Sequence, residues 1–380
     1  MSLYTTPLQF GYFFSLLLWI LLLVRGYQNH RLSDKLLGWI MFILAMELQD
    51  YTFGFAGINF LWDELNGFPR GVSLLFGPAI FFYFKSQINR SFTIKKEHLL
   101  HLLPYCIYFF YQIIFFIQGP EAVLAQQEMR LDLILSYVLR FALWGSYLFY
   151  ISKCLIIYRN YRGWSLNQFS NTELINFSWF RNFLYTMIFW LLCREFMNIL
   201  DSFLDLDFYQ DWWWNLALAV VAIYIGLAGY AQKQAAKIHF ETNPLLLTER
   251  NKNQLEIEKA IPIETIDKEK VLLGEKLKIL MKEERLYLQP DLTLHELAQH
   301  LSCNSSQLSA SINLVFKQNF NDFINSLRIE EFIRLNRTDS YKHFTLLAIA
   351  LDSGFNSKAT FNRAFKKLKS CSPKIFFSEK

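Results

Sequence analysis

GFNSKATFNRAFKK, Gly354 to Lys367, is the stretch on which the reading of this chain turns. Its glycine suits the left-handed position that closes a helix, and Asn356 or Ser357 offers a side-chain acceptor to the first free N–H groups of the next one. The spacing predicts a short helix over Leu346–Leu351, a turn at Gly354, and a second helix over Lys358–Leu368 with Lys358, Asn362 and Arg363 along one side. Two helices joined by so tight a break form a helix-turn-helix candidate.

The same pattern occurs once more, upstream. Thr293 and Glu296 make a capping box ahead of Leu294, Leu297, Ala298 and Leu301, which share a helix face. A break comes at Ser302-Cys303-Asn304, then a helix over Ser305–Phe316 with Leu308, Ile312 and Val315 facing inward. One amphipathic helix, Phe320 to Leu335, with Phe320, Phe323, Ile324, Leu327 and Phe332 at helical spacing, separates the two motifs. Duplicated reading heads on one rigid helix can enter successive major grooves, which recur about every 34 Å on one face of a duplex. In such a head the first turns meet base edges, and Lys or Arg near the other end meets phosphate. Lys358, Ala359, Asn362 and Arg363 then face bases, with Ala359 small enough to approach a thymine methyl, while Lys366 and Lys367 are phosphate candidates. The corresponding Ser306, Ser309, Ala310 and Asn313 of the first head are small, which favours positioning over specifying. From Lys317 onward twelve Lys/Arg stand against six Asp/Glu, whereas the whole chain is only +5. A basic terminal region fits an anionic partner, although surface helices are ordinarily charged as well.

The remainder of the chain is of another kind. Of its 380 residues 53% are hydrophobic and 18% aromatic, including 38 Phe, which exceeds the roughly 45–50% apolar usage of soluble domains. Seven apolar runs approach the about 20 residues a helix needs to cross a bilayer: Pro7–Val24, Leu36–Gly57, Phe68–Phe84, Leu99–Ile117, Leu131–Tyr150, Phe183–Leu200 and Trp212–Tyr230. Loop charges alternate along them. Arg25, Arg31 and Lys35 come after the first run, Lys85, Arg90, Lys95 and Lys96 after the third, and Lys153, Arg159, Arg162 and Arg181 after the fifth. The intervening loops are acidic, the last with Asp201, Asp205, Asp207 and Asp211 and no base. Because short cytoplasmic loops collect Lys and Arg, this predicts an outside N-terminus and an inside C-terminus. Glu47, Asp50, Arg140, Arg194 and Glu195 fall within the runs, where charge is costly. Glu47 and Asp50 share a helix face and suit either a sensed ligand, cation or proton, or ion pairs with Arg140 or Arg194. Trp212, Trp213 and Trp214 read as an interfacial anchor.

Several functions find no support. Cys106, Cys154, Cys193, Cys303 and Cys371 form no CxxC and have no His at zinc spacing, so they read as reduced and no metal is expected. No Gly-rich phosphate loop, HExxH or GxSxG occurs, so neither enzyme chemistry nor a cofactor is expected. His101, beside Leu102-Leu103-Pro104, reads as a structural hydrogen-bonding group. No basic segment and cleavage site precede the first apolar run, so it is expected to remain in the product. Residues 232–290 read as a charged, partly helical linker, notably over Glu275–Tyr287, whose Leu255–Ile261 and Leu272–Leu280 runs suit pairing between two chains.

LTLHELAQHLSCNSSQLSASINLVFKQNFNDFINSLRIEEFIRL and LLAIALDSGFNSKATFNRAFKKLKSCSPKIF together resemble the AraC/XylS-type DNA-binding domain over about Leu292–Phe377. The resemblance rests on Gly354-Phe355, Phe361, Arg363, Phe365, Lys366 and Lys367 and on Ser372-Pro373; Cys371 stands where that family usually has glycine. It implies two helix-turn-helix motifs with Ser306, Ser309, Ala310, Lys358, Ala359, Asn362 and Arg363 at base-facing positions. The stretch LLFGPAIFFYFKSQINRSFTIKKEHLLHLLPY is similar to bacterial seven-span regulators ending in such a domain, common in Bacteroidota. The expected architecture is therefore all-α: a seven-helix transmembrane bundle over residues 1–231, the linker, and a double helix-turn-helix domain over residues 291–380. The implied role is a one-component transcription regulator in the bacterial cytoplasmic membrane. Its expected partners are double-stranded DNA, the lipid bilayer, RNA polymerase, a second copy of the chain, and a small-molecule or membrane stimulus. A membrane transporter or signalling protein whose tail binds another protein is the alternative.

Overall fold

The structure is a computed structural model that describes residues 5–172, 175, 177–204, 212–232, 240 and 263–378. Among these the regular structure is helical, with one isolated bridge between Phe169 and Thr293 in place of any sheet. The chain divides into two compact units, one of residues 1–158 and 177–241, the other of residues 159–176 and 242–380.

The first unit holds α1 (Thr5–Gln28), α2 (Leu32–Phe55), α3 (Phe76–Ile88), α4 (Leu103–Gln118), α5 (Pro120–Glu128), most of α6 (Arg130–Gln168), α7 (Ser178–Leu204) and α8 (Trp212–Tyr230). Six helices among the described residues are long and apolar enough to cross a membrane. The third predicted run, Phe68–Phe84, is not among them. Pro69 and Gly71 keep its start irregular, and its regular part is a three-residue 3-10 turn leading into the 13-residue α3. Together these span about 25 Å, short of the roughly 30 Å of hydrocarbon in a bilayer. The fifth run extends far beyond its predicted end at Tyr150, to Gln168.

Apolar side chains face outward over much of this unit. α4 buries none of its residues, and Phe110, Ile117, Phe141, Phe189 and Phe203 are each more than 60% exposed. Meanwhile Ser15, Thr52, Gln87 and Asn215 lie inside. Contiguous apolar surface on this scale needs a non-aqueous cover. Small residues bring α1 and α8 close: a Cβ on Gly11 would stand 2.7 Å from that of Ala219. At the far end Arg25 grips Asp34 through two 2.9 Å bonds and donates to the Tyr230 carbonyl at 2.7 Å. That bidentate pair joins the C-terminal ends of α1 and α8 to the start of α2.

The second unit contains the end of α6, then α9 (Ile263–Glu284), α10 (Leu294–His300), α11 (Ser305–Phe316), α12 (Phe320–Asn336), α13 (Leu346–Asp352), α14 (Lys358–Lys369) and α15 (Pro373–Ser378). It has two cores strung on one helix. Phe320, Phe323 and Ile324, from the first half of α12, pack with Leu294, Leu297, Leu308 and Ile312. Ile329, Phe332 and Leu335, from its second half, pack with Ile349, Phe355, Phe361 and Phe365. The segment read as a linker also contributes, since Leu277 and Met281 of α9 are buried in the first core.

Phe332 is the pivot of the second core, its ring 4.6 Å from Phe361 and 5.9 Å from both Phe365 and Phe377. Truncating a fully buried aromatic removes its transfer energy and leaves a cavity. Phe332→Ala should therefore destabilise this unit by about 3–5 kcal/mol, read by circular dichroism against urea. Leu347→Ala, at a position 38% exposed, should cost less than about 1 kcal/mol.

Candidate nucleic-acid interface

Each of the two helix pairs is built by its caps. Thr293 Oγ1 accepts from the Glu296 N–H while the Glu296 carboxylate accepts from the Thr293 N–H at 2.8 Å, the reciprocal box expected from the sequence. α11 has a second box: Asn304 accepts from the Ser306 N–H at 2.8 Å and Gln307 from the Asn304 N–H. The N-x-x-Q spacing before Leu308 was there to read. In the second pair Thr345 and Ser357 cap α13 and α14, each accepting from the N–H three residues on at 3.2 Å. Between them Gly354 sits at φ +92°, and a Cβ there would approach the Tyr287 carbonyl oxygen to 2.7 Å and the Leu288 Cα to 2.9 Å. No other residue type is accommodated at that crossing without backbone movement.

α14 presents its polar side as predicted. Thr360, Phe361 and Phe365 are buried, and Lys358, Ala359, Asn362, Arg363, Lys366 and Lys367 are all exposed. Lys366, Lys367 and Lys369 occupy its last turn, where cations complement the helix dipole. Lys367 is engaged, its Nζ 2.6 Å from an oxygen of Asp322 on α12, whereas Lys366 makes no ion pair among the described residues.

α11 differs from expectation on one side. Asn313 is exposed, but Ser306, Ser309 and Ala310 are only half-exposed. α9 runs along this helix: Ser311 Oγ donates to the Lys270 carbonyl at 2.6 Å, and Gly274 lies so close that a Cβ would meet Val315 at 2.7 Å. The first head therefore offers a narrower face than the second.

One residue fixes the relation of the two pairs, and the sequence disguised it as one of the basic tail's charges. Arg328 on α12 is fully buried. Its Nε donates to the Tyr287 carbonyl at 2.7 Å, and its Nη2 to the carbonyls of Gln289 at 2.7 Å and Pro290 at 3.2 Å and to Ser170 Oγ at 3.2 Å. Its guanidinium carbon also stands 5.8 Å from the centroid of the Phe355 ring. Burial lowers its pKa to about 10, partly opposed by Asp291, so it stays charged at neutral pH.

The charges within the apolar unit resolve into pairs. Arg194 lies 3.7 Å from Glu47, Arg140 3.6 Å from Glu195, and Asp50 binds Arg70 at 3.0 Å. Ser73 donates a second bond to Glu47. Arg70, from the loop before α3, was not among the expected partners. His101 Nδ1 contacts the Tyr150 hydroxyl at 2.5 Å, a hydrogen bond of the structural kind expected. Trp213 is exposed while Trp212 is buried and Trp214 stacks edge-on with Tyr51, so only part of that run faces outward. The five cysteines are unlinked, and among the described residues no group of three His, Cys, Asp or Glu side chains converges as metal ligands would.

Comparison with known proteins bears on the second unit alone. Residues 297–379 match a family model described as a helix-turn-helix domain, of AraC type. Over 91 residues the chain is 35% identical to an uncharacterised HTH-type transcriptional regulator of Staphylococcus aureus strain COL, covering 24% of this chain and 12% of that protein. An uncharacterised HTH-type regulator of strain MSSA476 matches with the same identity and coverage. The chain thus spans only about an eighth of the length of these relatives. No solved structure matches it. The C-terminal region accordingly carries a DNA-binding helix-turn-helix domain of a kind found in transcriptional regulators.

Glu331, which bonds Arg334 at 2.8 and 2.6 Å and lies 3.7 Å from Arg285, supplies a pH test of the domain. The Arg334 hydrogen bonds outweigh burial and hold its carboxyl below the ordinary 4.5. A depressed carboxyl stabilises the fold above its unfolded pKa, and that contribution disappears as the pH falls through the lower folded value. Melting temperature tracked from about pH 7 to about pH 3 should fall less steeply for Glu331→Gln than for the parent chain.

Proposed function

We propose that the chain is a membrane-embedded one-component transcription regulator. Its apolar unit crosses a bacterial cytoplasmic membrane seven times and senses a stimulus, and its helix-turn-helix domain binds specific DNA on the cytoplasmic side, where it acts on RNA polymerase. The observation that carries this is the presence, in one chain, of six bilayer-length apolar helices and a helix-turn-helix domain with an exposed basic helix.

Helix parity supports the count. Six alternating crossings would leave α8 antiparallel to α1, yet Arg25 bonds Tyr230, so the C-terminal ends of the two helices lie together. An odd number of crossings satisfies this, with the short, buried α3 as the seventh. The shared end carries Arg25, Arg31 and Lys35, the composition of a cytoplasmic loop. The N-terminus is then outside and the helix-turn-helix domain inside. The intramembrane pairs Glu47–Arg194 and Arg140–Glu195 orient helices or form part of the sensing apparatus. A homodimer is supported by Val271, Leu272 and Ile279, exposed apolar residues of α9 with a seven-residue repeat between the last two. The Leu255–Ile261 run lies outside the described residues.

In this role Lys358, Ala359, Asn362 and Arg363 meet base edges, Ser306, Ser309, Ala310 and Asn313 position the first head, and Lys366 and Lys367 meet phosphates. The purified chain in lipid nanodiscs, given a pool of genomic fragments, should select specific duplexes. On a selected site Arg363→Ala should cost about 1–3 kcal/mol and relax discrimination at one position. Lys366→Ala should weaken all duplexes alike and reduce the salt slope by about one. Equal binding of all fragments by the parent chain would remove the proposal.

A further inference from the structure

The second unit includes a piece of chain from far away in sequence, the end of α6 and the residues after it, 159–176. This strap is seated by specific bonds. Phe169 bridges antiparallel to Thr293, and the Ser170 N–H donates to the Leu292 carbonyl at 3.1 Å. Asn321 Nδ2 donates to the carbonyls of Phe169 at 3.1 Å and Ser170 at 2.7 Å. Ser170 Oγ accepts from Arg328 and donates to the Pro290 carbonyl at 3.4 Å, and Asn171 Nδ2 donates to Asp291 at 3.3 Å. Ser170 is fully buried with its N–H, its carbonyl and its hydroxyl all bonded, which is the satisfaction expected of a built contact.

Beside this seat lies a cleft of about 470 Å³. The strap lines one side with Arg162, Leu166 and Thr172; the other side includes Arg363 and Lys367 of the second reader. Arg162, Lys317, Arg363 and Lys367 meet there with Asp322 as the one carboxylate among the lining residues, a charge balance that draws an anion. A reader helix in a major groove about 12 Å wide has a sugar-phosphate strand on each flank. On this flank the strap faces Arg363 and Lys367 across the cleft.

We propose that the strap is an intramolecular competitor of DNA: seated, it closes the Arg363–Lys367 flank of the second reader, and leaving its seat frees that flank for the phosphate backbone. The inference rests on the DNA-reading function proposed above and adds how that site is regulated. The strap is the continuation of α6, so displacement of that helix displaces Ser170. A stimulus that disfavours the seated state raises DNA affinity by at most that free energy.

The test uses the full chain in lipid nanodiscs and a fluorescent random-sequence duplex of about 30 base pairs at about 50 mM salt, where phosphate contacts dominate binding. Asn321→Leu removes both bonds to the strap carbonyls without adding charge to the cleft, and Ser170→Pro removes the strap's N–H and hydroxyl while leaving every α14 side chain unaltered. Each should bind about fivefold to tenfold more tightly than the parent. A second readout needs no disruption of the seat: maleimide labelling of Thr172→Cys, corrected for the parent's five cysteines, should accelerate when duplex is added. Unchanged or weaker binding by both variants, with labelling indifferent to DNA, overturns the competitor and leaves the DNA reader standing. No duplex binding by parent or variants overturns both.

Discussion

Arg328 is the constraint on which the DNA-binding unit depends. Moving a guanidinium out of water costs several kcal/mol unless its donors are all met. Here Nε and Nη2 are met by three carbonyls of one turn, at Tyr287, Gln289 and Pro290. Gln289 also accepts from the Leu292 N–H and Pro290 from the Ser170 hydroxyl, both at 3.4 Å, so the guanidinium supplies the turn's shorter bonds. The turn also receives Gly354 against Tyr287 and Leu288, and Phe355 lies within cation–π range of Arg328. One buried charge on the middle of α12 therefore holds the first helix pair, the second pair and the strap in a single arrangement. For the proposed function the two heads add their discrimination only if their spacing is fixed, because the groove spacing of the duplex is fixed.

The two units obey opposite solvent rules within one sequence. On α12 Phe320, Phe323 and Phe332 are buried, while Arg334 and the α14 residues Lys366 and Lys367 are exposed; on α4 and α7 Phe110, Phe189, Phe196 and Phe203 are exposed, while Ser15 of α1 and Asn215 of α8 are inside. α6 belongs to both. At 39 residues it is about 58 Å long, nearly twice the roughly 30 Å a bilayer requires. Its surplus carries Arg159 and Arg162 and ends in the strap, so the covalent route from the apolar unit to the reader is a helix as well as the segment before α9.

Much of this was legible in the chain. The α11 range and the last apolar helix agree with their sequence expectations, and α10, α13 and α14 agree within a residue or two, because caps and 3.6-residue periodicity are local signals. What escaped was long-range. Lys367 pairs with Asp322 across 45 residues, and Ser170 meets Arg328 across 158, distances at which spacing carries no information. α3 was overestimated because hydropathy ignores Pro69 and Gly71. The part α9 plays in the first core was hard to read because, among its described residues, Leu277 and Met281 are the only apolar side chains it buries fully. The half-exposure of Ser306, Ser309 and Ala310 was likewise invisible without knowing that α9 lies on α11.

Fixed spacing of two readers is the claim to measure first. Hydroxyl-radical footprinting of the nanodisc-held chain on a selected duplex should show two protected segments on one face, about one helical turn or 10–10.5 base pairs apart. In Arg328→Met the second segment should fade while the first persists. A single footprint from the parent chain, or two whose separation varies from site to site, would contradict the account.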